Sequence, residues 1–170
     1  MSNILKSPVE NFLKWESSKK NETFLIQPIS GKNYEFSWER VGIEARKICN
    51  YIKSLNFPKN SKIAIISKNC AHWIITDLAI MMSGNISVPI YANVNGKTAK
   101  YILEHSESKM IFIGKLEESD WAQIENQFSE TVSLLKDHIF GINGSNKDVI
   151  DEDKYEKGLV SIRVGGDKLS

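Results

Sequence analysis

The side chains able to do acid–base, nucleophilic or metal chemistry are few and scattered. His72, His105 and His138 form no HxxH or HExxH pair, and none has a carboxylate at helical ligand spacing. A zinc site normally recruits at least one close ligand pair, so this spacing speaks against a metal centre. Ser, His and Asp all occur, but no GxSxG elbow presents a nucleophile, and a triad is defined by geometry rather than composition. Gly141-Ile142-Asn143-Gly144 and Gly165-Gly166 are the glycine clusters. Neither matches GxGxxG or GxxxxGK[ST], so both read as ordinary turns rather than phosphate cradles. The acidic run Asp151-Glu152-Asp153 reads as a solvated loop. Trp38, Trp73 and Trp121 lie on apolar helical stripes, where core packing is far commoner than a ligand platform. Cys49 and Cys70 lack CxxC spacing and read as core thiols of a reducing compartment. By themselves these residues assign no catalytic, cofactor-binding or metal-ligating position.

The elements that would position any site are easier to read. Ser7-Pro8-Val9-Glu10 combines a Ser N-cap, Pro at the first helical position and a Glu that closes a capping box. With Val9, Phe12 and Leu13 on one face, it predicts a short opening helix that ends in the polar Ser17 to Asn21. Thr23 to Gln27 and Tyr34 to Phe36 predict two short strands around the turn-forming Pro28-Ile29-Ser30-Gly31-Lys32-Asn33. Ser37 can cap the next helix, on which Trp38, Val41, Ala45, Ile48, Ile52 and Leu55 recur at spacings of three and four. Phe57-Pro58-Lys59-Asn60 breaks that helix, because Pro cannot continue its hydrogen-bond ladder.

Beyond the break, short continuous apolar runs alternate with helical segments. The runs are Lys62 to Ser67, Ile86 to Tyr91 and Lys109 to Ile113; the helices between them are about Ala71 to Ser83 and Lys97 to Glu104. Strands apolar on both faces and separated by crossover-length helices imply a parallel sheet covered on each side. Asn69 is the expected cap of the first crossover helix, which puts His72 in polar contact near a helix end. Gly84 can end that helix in a left-handed conformation, and Pro89 tolerates its missing amide at a strand terminus. Trp121, Ile124 and Phe128 predict a further helix carrying Glu117 and Glu118 near its amino end, where the helix dipole favours them. Thr131 to Leu135 reads as a strand or a helix continuation, Phe140 to Asp153 as an exposed loop, and Leu159 to Val164 as one more strand.

Composition bounds the partners. Lys and Arg number 22 against 21 Asp and Glu in 170 residues, so no strong net field draws in nucleic acid or an anionic membrane. Hydrophobic residues at 41% and charged residues at 25% are ordinary for one globular domain, or for one lobe of something larger. The amino terminus has no apolar stretch of signal-peptide length. The most apolar window, Cys70 to Met82, is too short to cross a bilayer and contains His72 and Asp77. A cytoplasmic, soluble protein without a transmembrane segment is expected.

Three segments, in order, carry a resemblance. The run Ser61 to Tyr91, SKIAIISKNCAHWIITDLAIMMSGNISVPIY, is similar to the "D-R-V-A-I-I-S-x-N-x-x-E-W-x-x-x-D-L-A-x-x-x-x-G-A-x-x-V-P-I-Y" stretch of the AMP-binding, or adenylate-forming, superfamily. Upstream, Tyr34-Glu35-Phe36-Ser37-Trp38-Glu39-Arg40-Val41 resembles that family's "T-W-x-E-V" segment. Downstream, Tyr101-Ile102-Leu103-Glu104-His105-Ser106-Glu107-Ser108-Lys109 resembles its "Y-I-L-x-x-S-x-A-K" segment. Together the matches span about Phe24 to Gly114. Trp73 and the Pro89-Ile90-Tyr91 ending look more like fatty-acid-activating members than short-chain or amino-acid-activating ones, and the resemblance as a whole is to the amino-terminal part of a long-chain fatty acid:CoA ligase.

The resemblance implies an α/β fold: a partial parallel sheet with flanking helices, as in an incomplete amino-terminal subdomain of the adenylate-forming fold. Within one partial AMP-binding domain it implies an opening helix at 1–22, a family-like core at 23–136 and a loop-rich tail at 137–170. It also implies the reaction of the full-length family, in which a fatty acid and ATP form an acyl-adenylate with release of pyrophosphate, and the acyl group then passes to coenzyme A. That chemistry needs a Ser/Thr/Gly-rich loop with a Lys around the phosphates, Mg²⁺ against their charge and a carboxylate on the ribose. No "T-S-G-T-T-G-x-P-K-G" loop occurs in these 170 residues. Leu159 to Val164 resembles the strand that precedes this loop, yet Gly165-Gly166-Asp167-Lys168-Leu169-Ser170 lacks its threonines and Pro-Lys-Gly, as in a truncated or frameshifted product. The expectation is a fragment that is inactive alone, binds none of the family's cofactors and has no transferable catalytic residue. The alternatives are a ligand-binding module that uses the sheet's carboxyl edge, or a partner that docks on full-length synthetases through surface bared by truncation.

Overall fold

The computed structural model describes residues 7–29, 31–114 and 160–163, the last four as backbone. Helix α1 (Pro8–Ser18) starts as expected, with Ser7 and Glu10 forming both hydrogen bonds of a capping box. Strands β1 (Thr23–Ile29) and β2 (Lys32–Ser37) pair antiparallel as a separate two-stranded sheet. The turn is tighter than the expected Pro28 to Asn33. Pairing continues through Pro28↔Asn33 and Ile29↔Lys32, and Gly31 takes a φ of 77°, which a residue without Cβ adopts freely.

Ser37 Oγ then accepts from the Arg40 amide and opens α2 (Trp38–Ser54). Its apolar stripe is buried as the spacing predicts, with Val41, Ala45, Ile48 and Ile52 all inside. The Glu16 carboxylate of α1 lies over Gly42, in the space a Cβ there would enter. That carboxylate forms a two-pronged pair with the Arg46 guanidinium, at 2.9 and 2.5 Å.

The alternating region folds as the periodicity predicts: β3 (Lys62–Ile66), α3 (Ala71–Met82), β4 (Ile86–Ile90), α4 (Gly96–Ser106) and β5 (Met110–Ile113). Strands β3, β4 and β5 are parallel in the order β4-β3-β5. Strand β6 (Val160–Arg163), expected at Leu159 to Val164, adds to β5 but runs antiparallel, with Met110 opposite Arg163, so the four-stranded sheet is mixed.

Alternate residues of β3 and β5 enter two different cores, as the pleat requires. Ile63, Ile65, Met110 and Phe112 pack against α1, α2, α3 and the hairpin, where the Phe24 and Trp38 rings stack at 3.9 Å. Ala64, Ile66, Ile111 and Ile113 pack on the other face against Ala99 and Leu103 of α4. Full burial of one such side chain stabilises by roughly 1.5–3 kcal/mol, which makes β3, buried on both faces, the keystone of the sheet. β4 departs from the expectation of cover on both sides: it is at the sheet's edge among the described residues, and Ile86 is exposed there. Pro89 suits such an edge, since it has no amide to offer a further strand. Gly84, at φ 81°, follows α3 in the expected left-handed conformation.

Two local expectations are corrected. The cap position of α3 is Cys70 rather than Asn69, and its side chain makes no capping bond; the Ala71 amide instead donates to Gln27 Oε1 at 2.9 Å. Cys70 is consequently half-buried at a helix start rather than a core thiol, whereas Cys49 is buried. The segments Glu117 to Leu135 and Phe140 to Asp153, with the helix expected around Trp121, lie outside the described residues.

Candidate functional site

The site follows from how the chain leaves β3 and β4. These strands are neighbours, yet α3 covers one face of the sheet and α4 the other, so their outgoing connections diverge. In an open parallel sheet that divergence leaves a crevice at the carboxyl ends of the strands, where such folds hold ligands. A crevice of about 670 Å³ is present there.

Ser67, Lys68 and Asn69, from the β3–α3 connection, form one wall, and Trp73 from the first turn of α3 adds an aromatic surface. The other wall is the end of β4, Pro89 and Ile90, continued by Tyr91, Ala92 and Asn93. Ser67 is buried and donates from Oγ to the Lys68 carbonyl at 2.9 Å, which folds this turn back on itself. Tyr91 is 83% exposed. Asn95 Oδ1 accepts from the Thr98 amide at 2.8 Å and starts α4, which ends the second wall. Among the described lining residues Lys68 is the cation, and no carboxylate accompanies it. Two aromatic rings, amide side chains and one ammonium suit an amphiphilic anion. Among the described residues the lining offers no carboxylate for a metal ion.

The residues weighed for chemistry do not converge here. His72 is not among the residues that line the crevice, and its ring meets Phe36 edge-on at 5.8 Å. Burial pushes its imidazole below the ordinary value, Glu44 pulls it back up and Arg40 adds to the lowering. Arg40 donates from Nε to Glu44 Oε1 at 3.0 Å and lies over the Phe36 ring at 4.2 Å. His105 stacks on Tyr101 on the exposed side of α4. Among the described residues no three His, Cys, Asp or Glu side chains come together as metal ligands. His138, both glycine clusters, Asp151 to Asp153 and Lys168 lie outside the described residues. Sequence reasoning makes Asn69 a helix cap and Tyr91 part of the family resemblance and assigns Lys68 and Asn93 no role; the signal that finds all four is position, each just past the carboxyl end of one of two adjacent strands.

A crossover α/β sheet with a polar-aromatic crevice beyond the carboxyl ends of two adjacent parallel strands belongs to the open parallel-sheet class of folds, whose ligands bind at that edge. The family follows from comparison with known proteins: a profile described as AMP-binding enzyme matches residues 12–160, and the chain belongs to that family. An uncharacterized acyl-CoA ligase of Bacillus subtilis, YtcI, is 27% identical over 161 residues, covering 95% of this chain and 28% of that protein. Long chain acyl-CoA synthetase 1 of Arabidopsis thaliana is 26% identical over 110 residues, 65% of this chain and 16% of that protein. The crystal structure of the anthranilate CoA ligase AuaEII in complex with anthranoyl-AMP superposes with a TM-score of 0.63 at 19% identity, over 74% of this chain and 23% of that one. The architecture is thus that of the N-terminal subdomain of adenylate-forming enzymes. The chain spans between 13 and 28% of the length of the curated relatives it matches. No helix among the described residues is long and apolar enough to cross a membrane.

Proposed function

We propose that this chain is the amino-terminal scaffold of an AMP-dependent acyl-CoA ligase that acts on long-chain fatty acids in the cytoplasm. The observation that carries the proposal is the β4-β3-β5 parallel sheet within a family match that extends over residues 12–160. Long-chain acids are favoured by the Trp73 and Pro89-Ile90-Tyr91 resemblance, with the Arabidopsis relative named for such substrates in support. ATP, Mg²⁺ and coenzyme A belong to the full-length reaction. The 170 residues lack the Thr/Ser/Gly loop and Lys that would grip the phosphates, so no step of that reaction is assigned to a residue of this chain. Purified chain incubated with ATP, Mg²⁺ and fatty acids of graded length is expected to release no pyrophosphate above the protein-free control. Clear turnover with any of them would refute the proposal.

A second reading is favoured by the crevice itself. A preformed cleft lined by Trp73, Tyr91 and Lys68 fits a binding module for an acyl-CoA, an amphiphile with anionic phosphates. Calorimetric titration with oleoyl-CoA tests this reading: saturable heat supports it, and a flat trace counts against it.

A further inference from the structure

One wall of the crevice is held by a side chain from a different sheet. A helix leaves its first amides without intrahelical acceptors, and the residue just before it is the usual source of a substitute. Three helices follow that rule: α1, α2 and α4 are capped by the side chains of Ser7, Ser37 and Asn95. Helix α3 does not. Cys70 has the extended backbone of a cap residue, at φ −156° and ψ 168°, but its side chain makes no capping bond. The acceptor is Gln27 Oε1, which takes the Ala71 amide at 2.9 Å across a sequence separation of 44 residues. Gln27 is half-buried in β1, opposite Tyr34, and its Nε2 donates to the Pro28 carbonyl at 3.2 Å, which turns Oε1 toward α3. The hairpin shares no strand pairing with the parallel sheet. This bond therefore ties the hairpin to the turn that carries Ser67, Lys68, Asn69 and Trp73.

We propose that Gln27 is a positioning residue for the crevice: by capping α3 from the hairpin, it fixes the β3–α3 wall and couples the hairpin to ligand affinity at the sheet's carboxyl edge. The ligand half of this proposal rests on the crevice reading above. Its physical basis is the cost of leaving a half-buried amide unpaired, which loosens the first helical turn and with it Trp73.

Amide hydrogen exchange on the full 170-residue chain tests the cap directly. In Gln27→Leu the amides of Ala71 to Trp73 are expected to exchange about five- to tenfold faster, with β3 and α2 unchanged. Gln27→Glu keeps an acceptor and adds negative charge at a helix amino end, so it is expected to retain slow exchange. Unaltered exchange at Ala71 to Trp73, or an acceleration spread evenly over the chain, overturns the proposal. Oleoyl-CoA titration supplies the second arm: several-fold weaker binding in Gln27→Leu, restored in Gln27→Glu, supports the coupling, and equal affinity in all three proteins overturns it. A wild-type chain with no saturable binding sinks the crevice reading and the coupling with it, while the exchange pattern still decides whether Gln27 caps α3.

Discussion

The two ends of the parallel strands are closed by different means. At the amino end the incoming turns are laced together by backbone: the Asn60 amide donates to the Gly84 carbonyl at 3.1 Å, Ile86 to Ser61 at 2.9 Å and Lys109 to Lys62 at 2.8 Å. Ser61 Oγ adds a bond to the Pro58 carbonyl at 2.7 Å. At the carboxyl end, Gly114 still donates to Ile66 at 2.8 Å and ties β5 to β3, but the connections after β3 and β4 part to opposite faces and leave a crevice. Backbone closure at one end and side-chain-lined opening at the other divide the labour of the sheet: substitutions should act on stability at the first and on binding at the second.

The largest expected effect lies between the two ends. Ile65 is fully buried in β3, and Ile65→Ala is expected to cost about 2–5 kcal/mol by chemical denaturation, from lost transfer energy plus a residual cavity. A cost under half of that would mean the strand is not the keystone its burial indicates. At the amino end, Gly84→Ala forces a φ of 81° on a residue with a Cβ that meets open space, so about 1 kcal/mol should be lost through backbone strain alone, with ligand binding unchanged.

His72 adds a pH dependence beside the carboxyl end. Burial holds its folded-state pKa below the ordinary 6.5, so on acidification the unfolded chain takes up a proton more readily than the folded one. Its contribution is therefore complete above about pH 6.5 and is lost as pH falls from there toward the folded value. Denaturation midpoints at pH 7.5, 6.5 and 5.5 should show this loss, and His72→Gln should remove that part of it; identical pH profiles for the two proteins would exclude the effect. The smallest stability change is expected at the open end. Tyr91→Ala should alter stability by no more than about 0.5 kcal/mol, because the ring is 83% exposed, and yet weaken oleoyl-CoA binding. The reverse outcome, a destabilised chain with intact affinity, would erase the distinction between the two ends.

Features set by neighbouring residues were legible in the sequence, and those set by distant contacts were not. The capping box at Ser7 and Glu10, the buried stripe of α2 and the alternation from Lys62 to Ile113 are local patterns, and each folds as its spacing predicts. Asn69 looked like a cap because its side chain suits one, but the Ala71 amide is taken by Gln27, whose proximity depends on how the hairpin packs on α3. Pro28 looked like part of a turn, whereas in a free-standing hairpin it continues the strand. The direction of β6 cannot be read from Val160 to Arg163, because four apolar and polar residues pair equally well either way. Lys68, Asn69 and Asn93 look like ordinary loop residues until the strand order and the opposite placement of α3 and α4 bring their connections face to face.

The most direct test of the functional division is an NMR titration of the 170-residue chain with oleoyl-CoA, mapped on backbone amides. The predicted result is saturable shifts confined to residues 67–73 and 90–93, with the amino-end turns at 58–62, 83–86 and 107–109 unmoved. Shifts centred on those amino-end turns, or none that saturate, would contradict a ligand-binding carboxyl edge.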